Sequence, residues 1–123
     1  MMSKQPTIQI KRAYEDVEKE KDGWRVLVDR LWPRGVSKQE LQLDAWNKEL
    51  APSDKLRRWF DHDPEKFEEF SRRYRGELHE KQEAVQELLS TIREHCKATL
   101  VFAARDRDHN NAVVLKDYLE RKL

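Results

Sequence analysis

Apolar and polar residues alternate across Thr7-Ile8-Gln9-Ile10-Lys11-Arg12, the two-residue period of a strand with one buried face. Before it, Met1 to Pro6 is short and polar and reads as a loose terminus. After it, Glu15 to Asp22 is a charge run closing on Asp22-Gly23, a turn signal, so a solvated connection is expected. Arg25-Val26-Leu27-Val28 predicts a buried strand, and Trp32-Pro33-Arg34-Gly35 ends it, because proline and glycine interrupt regular structure.

Downstream the period lengthens. Ser37-Lys38-Gln39-Glu40 has the capping-box spacing, in which Ser and Glu satisfy the free amides of a helix start. Leu43 to Leu50 fits either a helical face through Leu43, Trp46 and Leu50 or a short strand. Ser53 is a good N-cap for a helix over 54–60. Asp63-Pro64 repeats the device, with Asp at the cap and Pro at the first helical position. Phe67, Phe70, Tyr74 and Leu78 then mark an amphipathic helix. A second helix starts near Gln82 and carries Val85, Leu88, Leu89, Ile92 and Cys96 on one stripe, so a buried structural thiol is expected at Cys96.

Ala98 to Ala104 is apolar on both alternating sets except at Thr99. A strand buried on both faces reads this way and favours a parallel sheet covered by helices. A polar loop, Arg105 to Asn111, leads to a final helix over 112–119. The order strand, strand, helical block, strand, helix predicts an α/β layer fold: a short, mainly parallel sheet flanked by helices and joined by right-handed crossovers.

Composition narrows the classes. The chain has 123 residues, one domain over 1–123, since a domain takes roughly 100–200 residues. Charged residues make up 40% and hydrophobic ones 37%, so the core is small, and 11 aromatic side chains supply much of its area. The 25 Lys and Arg nearly balance the 24 Asp and Glu, against the basic excess of a dedicated duplex-DNA binder. No apolar run is long enough to span a membrane, and the start carries no signal-peptide pattern, so a cytoplasmic protein is expected. The single cysteine excludes an internal disulfide and a Cys-based zinc cage.

Chemistry is expected where the strands end. In an open parallel sheet, ligands bind outside the carboxyl ends of the strands, where the strand order reverses. Two loops leave such ends: Asp29-Arg30-Leu31-Trp32-Pro33-Arg34-Gly35 and Arg105-Asp106-Arg107-Asp108-His109-Asn110-Asn111. If their strands are neighbours, both loops share one rim. Arg30, Arg34 and Arg105, with Trp32 and Asn110, would then hold a small phosphate- or nucleotide-like anion, because guanidinium forks match its oxygens. Asp29 and Asp106 are candidate orienting groups or bases and His109 a candidate proton carrier. Asp108 or Asn110 also suits the N-cap of the last helix.

Other classes compete less well. Asp61-His62-Asp63 has adjacent carboxylate and imidazole groups, but Asp63 is needed as a cap, and no metal site is expected. Arg57, Arg58, Arg72, Arg73 and Arg75, near Trp59 and Tyr74, could line a single-stranded nucleic-acid groove. Interleaved Glu65, Glu68, Glu69 and Glu77 favour an ordinary solvated helix face instead. A non-enzymatic protein-interaction module is the third alternative. No Gly-rich phosphate loop, nucleophile elbow or Cys-His pairing is present, and the sequence names neither a cofactor nor an oligomeric state.

The stretch Arg25 to Lys38, with Asp29-Arg30-Leu31-Trp32-Pro33-Arg34-Gly35 at its centre, resembles the opening signature of the YeaO-like bacterial proteins of the domain-of-unknown-function 488 family. The resemblance continues through Glu49 to Ser53, Trp59-Phe60-Asp61-His62-Asp63-Pro64, and Thr99 to Ala104 with Asp106 and His109-Asn110. It implies a small Rossmann-like α/β domain, and it carries motif positions rather than chemical roles. This chain departs from the pattern at Arg105, where lysine is expected, and at Asn111, where a second histidine is expected.

Overall fold

The computed structural model describes residues 5–123; most of the expected loose terminus, Met1 to Lys4, lies outside the described residues. Four strands form one sheet: β1 (Thr7–Arg12), β2 (Trp24–Leu27), β3 (Ala45–Trp46) and β4 (Lys97–Phe102). Their order is β1-β4-β2-β3 and every pairing is parallel. The last strand in sequence is thus inserted between the first two, so the chain closes only when its C-terminal third arrives. Five of the six β4 residues are buried, as the two-faced apolar pattern requires.

Helices occupy the positions their caps announce. The one-turn α1 (Lys19–Asp22) joins β1 to β2, and α2 (Lys38–Leu41) begins with a complete capping box between Ser37 and Glu40. Ser53 accepts from the Leu56 amide at the start of α3 (Asp54–Phe60). Asp63 caps a 3-10 turn, Pro64–Lys66, that runs into α4 (Phe67–His79). Then come α5 (Gln82–His95) and α6 (Asn111–Glu120), the latter capped by Asn110.

The two faces of the sheet are covered unequally. On one, Ile8, Val26, Ala98, Leu100 and Phe102 meet the apolar stripes of α3 to α6 in the main core. On the other, Leu27, Val101 and Ala13 pack with Leu41, Trp32, Val36, Leu43 and Trp46, so the segment after β2 supplies most of the cover of that end. The ambiguous stretch at Leu43 to Leu50 resolves as the two-residue β3, held by the Asp44 and Asn47 amides donating to the carbonyls of Arg25 and Leu27.

Two expectations are corrected. The charge run over 15–22 is not wholly solvated: Asp22 is 2% exposed and pairs with Lys11 and with the fully buried Arg25. Its neighbours in register, Gln9 and Thr99, complete a polar row on the second face, where Gln9 donates to Thr99 and Thr99 to the Asp22 carbonyl. Cys96 is exposed rather than buried. It ends α5 with a φ of 64°, and leaving the helical conformation takes its side chain off the stripe that finishes at Ile92.

Candidate functional site

β4 and β2 are neighbours, and the segments leaving their carboxyl ends go to opposite faces, one into α6 over the main core and the other under the sheet toward α2. This is the topological switch point of the sheet, the place outside which open parallel sheets bind ligands. Asp29 stands there. One carboxylate oxygen accepts from the Ala103 amide at 2.9 Å and the other from the Asn111 side-chain amide at 3.1 Å, so Asp29 joins the two strand ends. Asn111 also donates to the Val28 carbonyl at 3.0 Å. At the position where the family resemblance leads to histidine, Asn111 therefore spends its amide holding Asp29.

Burial pushes the Asp29 carboxyl above its ordinary value of 3.8, against the opposing pull of the Ala103 amide, the Asn111 amide and the charge of His62. A raised pKa means that the folded chain holds this proton more tightly than the unfolded one. The corresponding stability is present below the ordinary value and lost as pH rises through the folded value. The melting-temperature difference between Asp29→Asn and the native chain is therefore expected to move in favour of the variant between about pH 4 and pH 7. A difference that stays flat, or moves the other way, contradicts a raised Asp29 pKa in the folded chain.

The loop after β4 organises itself. Asp106 accepts from the amides of Asp108 and His109 and from His109 Nδ1 at 2.9 Å. The Asp108 amide first, then the His109 ring, hold its carboxyl below the usual range. With Nδ1 tied to Asp106, Nε2 is the free nitrogen of His109, and the ring stands edge-on to Phe67 at 5.1 Å between centroids. Asn110 is 1% exposed and fully engaged, accepting from the Val113 amide and donating to the Asp106 carbonyl. Its amide serves the loop and the helix start. Arg105 is exposed.

In the loop after β2, Arg30 Nε donates to the Pro52 carbonyl at 3.2 Å, and Arg34 is exposed. Trp32 is half-buried, donates to the Val36 carbonyl and meets Trp46 edge-on, so it packs the second face. Two further segments reach the rim that strand-end reasoning alone did not bring there. His62, in the loop between α3 and α4, follows Asp61 in a second consecutive left-handed conformation, and its charge acts on Asp29. The end of β1 is the other: Arg12 donates to the carbonyls of Ala104 and Ala103, its guanidinium lies over the Tyr14 ring at 5.2 Å, and Tyr14 OH donates to the Arg34 carbonyl at 3.0 Å. The available signals were the paired turn residues Asp61-His62 and a tyrosine placed just after a strand.

At the rim Arg107 pairs with Glu15, while on α5 Arg93 donates to the Lys122 carbonyl. On the helices Arg57 and Arg58 pair with Asp54, Arg72 and Arg73 with Glu69, and Arg75 and Arg121 with Asp117. Tyr74 is fully buried, donating to the Leu50 carbonyl, so it offers no face for base stacking. Among the described residues no group of three or more His, Cys, Asp or Glu side chains is placed to hold a metal ion. Nor is any helix among them long and apolar enough to cross a membrane.

A parallel α/β sheet whose strand order reverses between β4 and β2 is thus the class that the fold defines. Residues 7–123 match the family model described as the inactive DUF488-N3 subclade, and the chain belongs to this family. It is 39% identical over 112 residues to the uncharacterized protein YeaO of Escherichia coli, covering 91% of this chain and 96% of that one. It is 38% identical over 118 residues to the uncharacterized protein Rv3073c of Mycobacterium tuberculosis, covering 96% and 98%. No solved structure matches it.

Proposed function

We propose that the protein is a binding module that holds a small phosphate-bearing anion at the strand-end rim without turning it over. One observation carries this reading. Among the described residues five arginines lack a carboxylate partner, Arg12, Arg30, Arg34, Arg93 and Arg105, and all but Arg93 stand at the carboxyl ends of the strands. Arg12 and Arg30 spend donors on the carbonyls of Ala103, Ala104 and Pro52, so the exposed Arg34 and Arg105 are the guanidinium groups best placed to take phosphate oxygens in bidentate geometry. Folding a sheet does not need those two there.

The family description as inactive favours retention of a ligand over its conversion. So does the state of the acid–base candidates, since Asp29 and Asp106 both accept hydrogen bonds from the protein on each of their oxygens. In this reading Asp29 and Asp106 shape the rim, and His109, its Nδ1 tied to Asp106, leaves Nε2 open beside them.

Thermal denaturation of the chain with inorganic phosphate, sugar phosphates and nucleotides tests the proposal. A ligand at about a hundred times its Kd stabilises the fold by about 2.7 kcal/mol, a shift of several degrees in a chain of this size. Arg34→Ala and Arg105→Ala are each expected to weaken binding about tenfold, the scale of one lost charge-assisted hydrogen bond. Both side chains are exposed, so the unliganded melting temperature should hardly change. No stabilisation by any member of the panel, or equal responses from both variants and the native chain, would remove the proposal.

A further inference from the structure

We infer that the anion held at this rim carries an aromatic base, so that the ligand is a nucleoside phosphate with Tyr14 as its stacking platform; this rests on the anion-binding reading above. Among the described residues the exposed large hydrophobic side chains are Tyr14, at 48%, and Leu31, at 58%. Both flank the strand ends, Tyr14 two residues past β1 and Leu31 beside Arg30. A single exposed tyrosine would need no explanation. This one is fixed at two points, by its hydroxyl donating to the Arg34 carbonyl and by the Arg12 guanidinium over its ring.

A ring immobilised in the free protein loses little conformational freedom when a flat ligand lands on it. With Arg12 covering one face, the exposed ring surface is left for a second planar group, and a nucleobase stacks there whatever its edge pattern. The arginine whose carbonyl pins the ring, Arg34, is one of those without a carboxylate, so stacking surface and phosphate-binding group adjoin.

A sugar phosphate fits less well. Recognition of sugar hydroxyls calls for free carboxylate or amide groups, and at this rim Asp29, Asp106, Asn110 and Asn111 are all engaged with the protein itself. What remains open is the Tyr14 ring, the Arg34 and Arg105 guanidinium groups, His109 Nε2 and one exposed carboxylate, Asp108.

Calorimetric titration of the full chain compares AMP with ribose 5-phosphate, which carries the same phosphate and sugar without the base. AMP is expected to bind about tenfold more tightly. Tyr14→Ala should erase that gap while leaving the affinity for ribose 5-phosphate unchanged, and Tyr14→Phe, which keeps the ring, should retain most of it. Equal affinities for the two ligands overturn the base-stacking inference and leave the anion site standing. A Tyr14→Ala variant that weakens both ligands alike makes Tyr14 a prop for the Arg34 loop and likewise overturns it. If neither ligand binds the native chain, the base-stacking inference falls, and the response to inorganic phosphate and the rest of the panel decides whether the anion site falls with it.

Discussion

Arg25→Met is expected to lower folding stability by about 3–5 kcal/mol, the usual cost of removing one partner from a buried ion pair. Arg25 is 1% exposed in β2, with Nη1 2.7 Å from an Asp22 oxygen and with Nε and Nη2 both donating to the Leu41 carbonyl. Methionine fills much of the same volume but donates nothing. It leaves the Leu41 carbonyl without its guanidinium donors and Asp22, 2% exposed, with only Lys11 and the Glu18 amide. Burial works to raise the Asp22 pKa, but the Glu18 amide, Lys11 and Arg25 together hold the carboxyl below its ordinary 3.8. Stability from this group is present above that value and lost as pH falls through the folded value, so the deficit of the variant should shrink in acid. Urea unfolding at several pH values measures both effects. A midpoint within about 0.5 kcal/mol of the native chain at neutral pH would mean that the pair is energetically idle. The double variant Arg25→Met with Asp22→Leu separates lost attraction from stranded charge, and it should recover part of the loss.

Gly23→Ala is the second large effect. Gly23 links α1 to β2 at φ 64° and ψ −136°, a region that side-chain-bearing residues enter only under strain. A Cβ at this position would also run into the Lys97 carbonyl, which belongs to the backbone of β4 and cannot rotate away. Backbone strain of about 1–3 kcal/mol and displacement of the central strand add, so a loss of about 3 kcal/mol or more is expected. In thermal denaturation that is a fall of roughly 10 °C or more. An alanine variant melting within a degree or two of the native chain would show that the α1–β2 turn is free to move away from β4. Gly76, by contrast, sits in α4 with open space where a methyl group would go.

Local signals carried far where their physics is local. Capping at Ser37, Ser53 and Asp63 depends on a side chain reaching an amide two or three residues on, and all three caps form where their spacing announces them. β4 was legible because a strand buried on both faces has no polar alternation to hide it. Leu43 to Leu50 was not, since β3 exists only through bonds to β2, some 20 residues earlier. The burial of Asp22 and Arg25 was equally invisible, because a charge run looks solvated until a partner of opposite charge is brought across the sheet. Cys96 followed the apolar stripe of α5 in sequence but left it in space when the helix ended one residue early.

The candidate rim divides in the same way. Chain order and apolar period by themselves determined a parallel α/β sheet and the two Arg-Asp-rich loops at its strand ends, because helical and extended periods and their caps act over a few residues. Only the tertiary structure decided that β4 lies between β1 and β2. That insertion bonds Asp29 to Ala103 and Asn111 and sets Tyr14 against Arg34. These contacts join residues tens of positions apart, and no local pattern records them, since they form when burial of the apolar faces brings the strands into register.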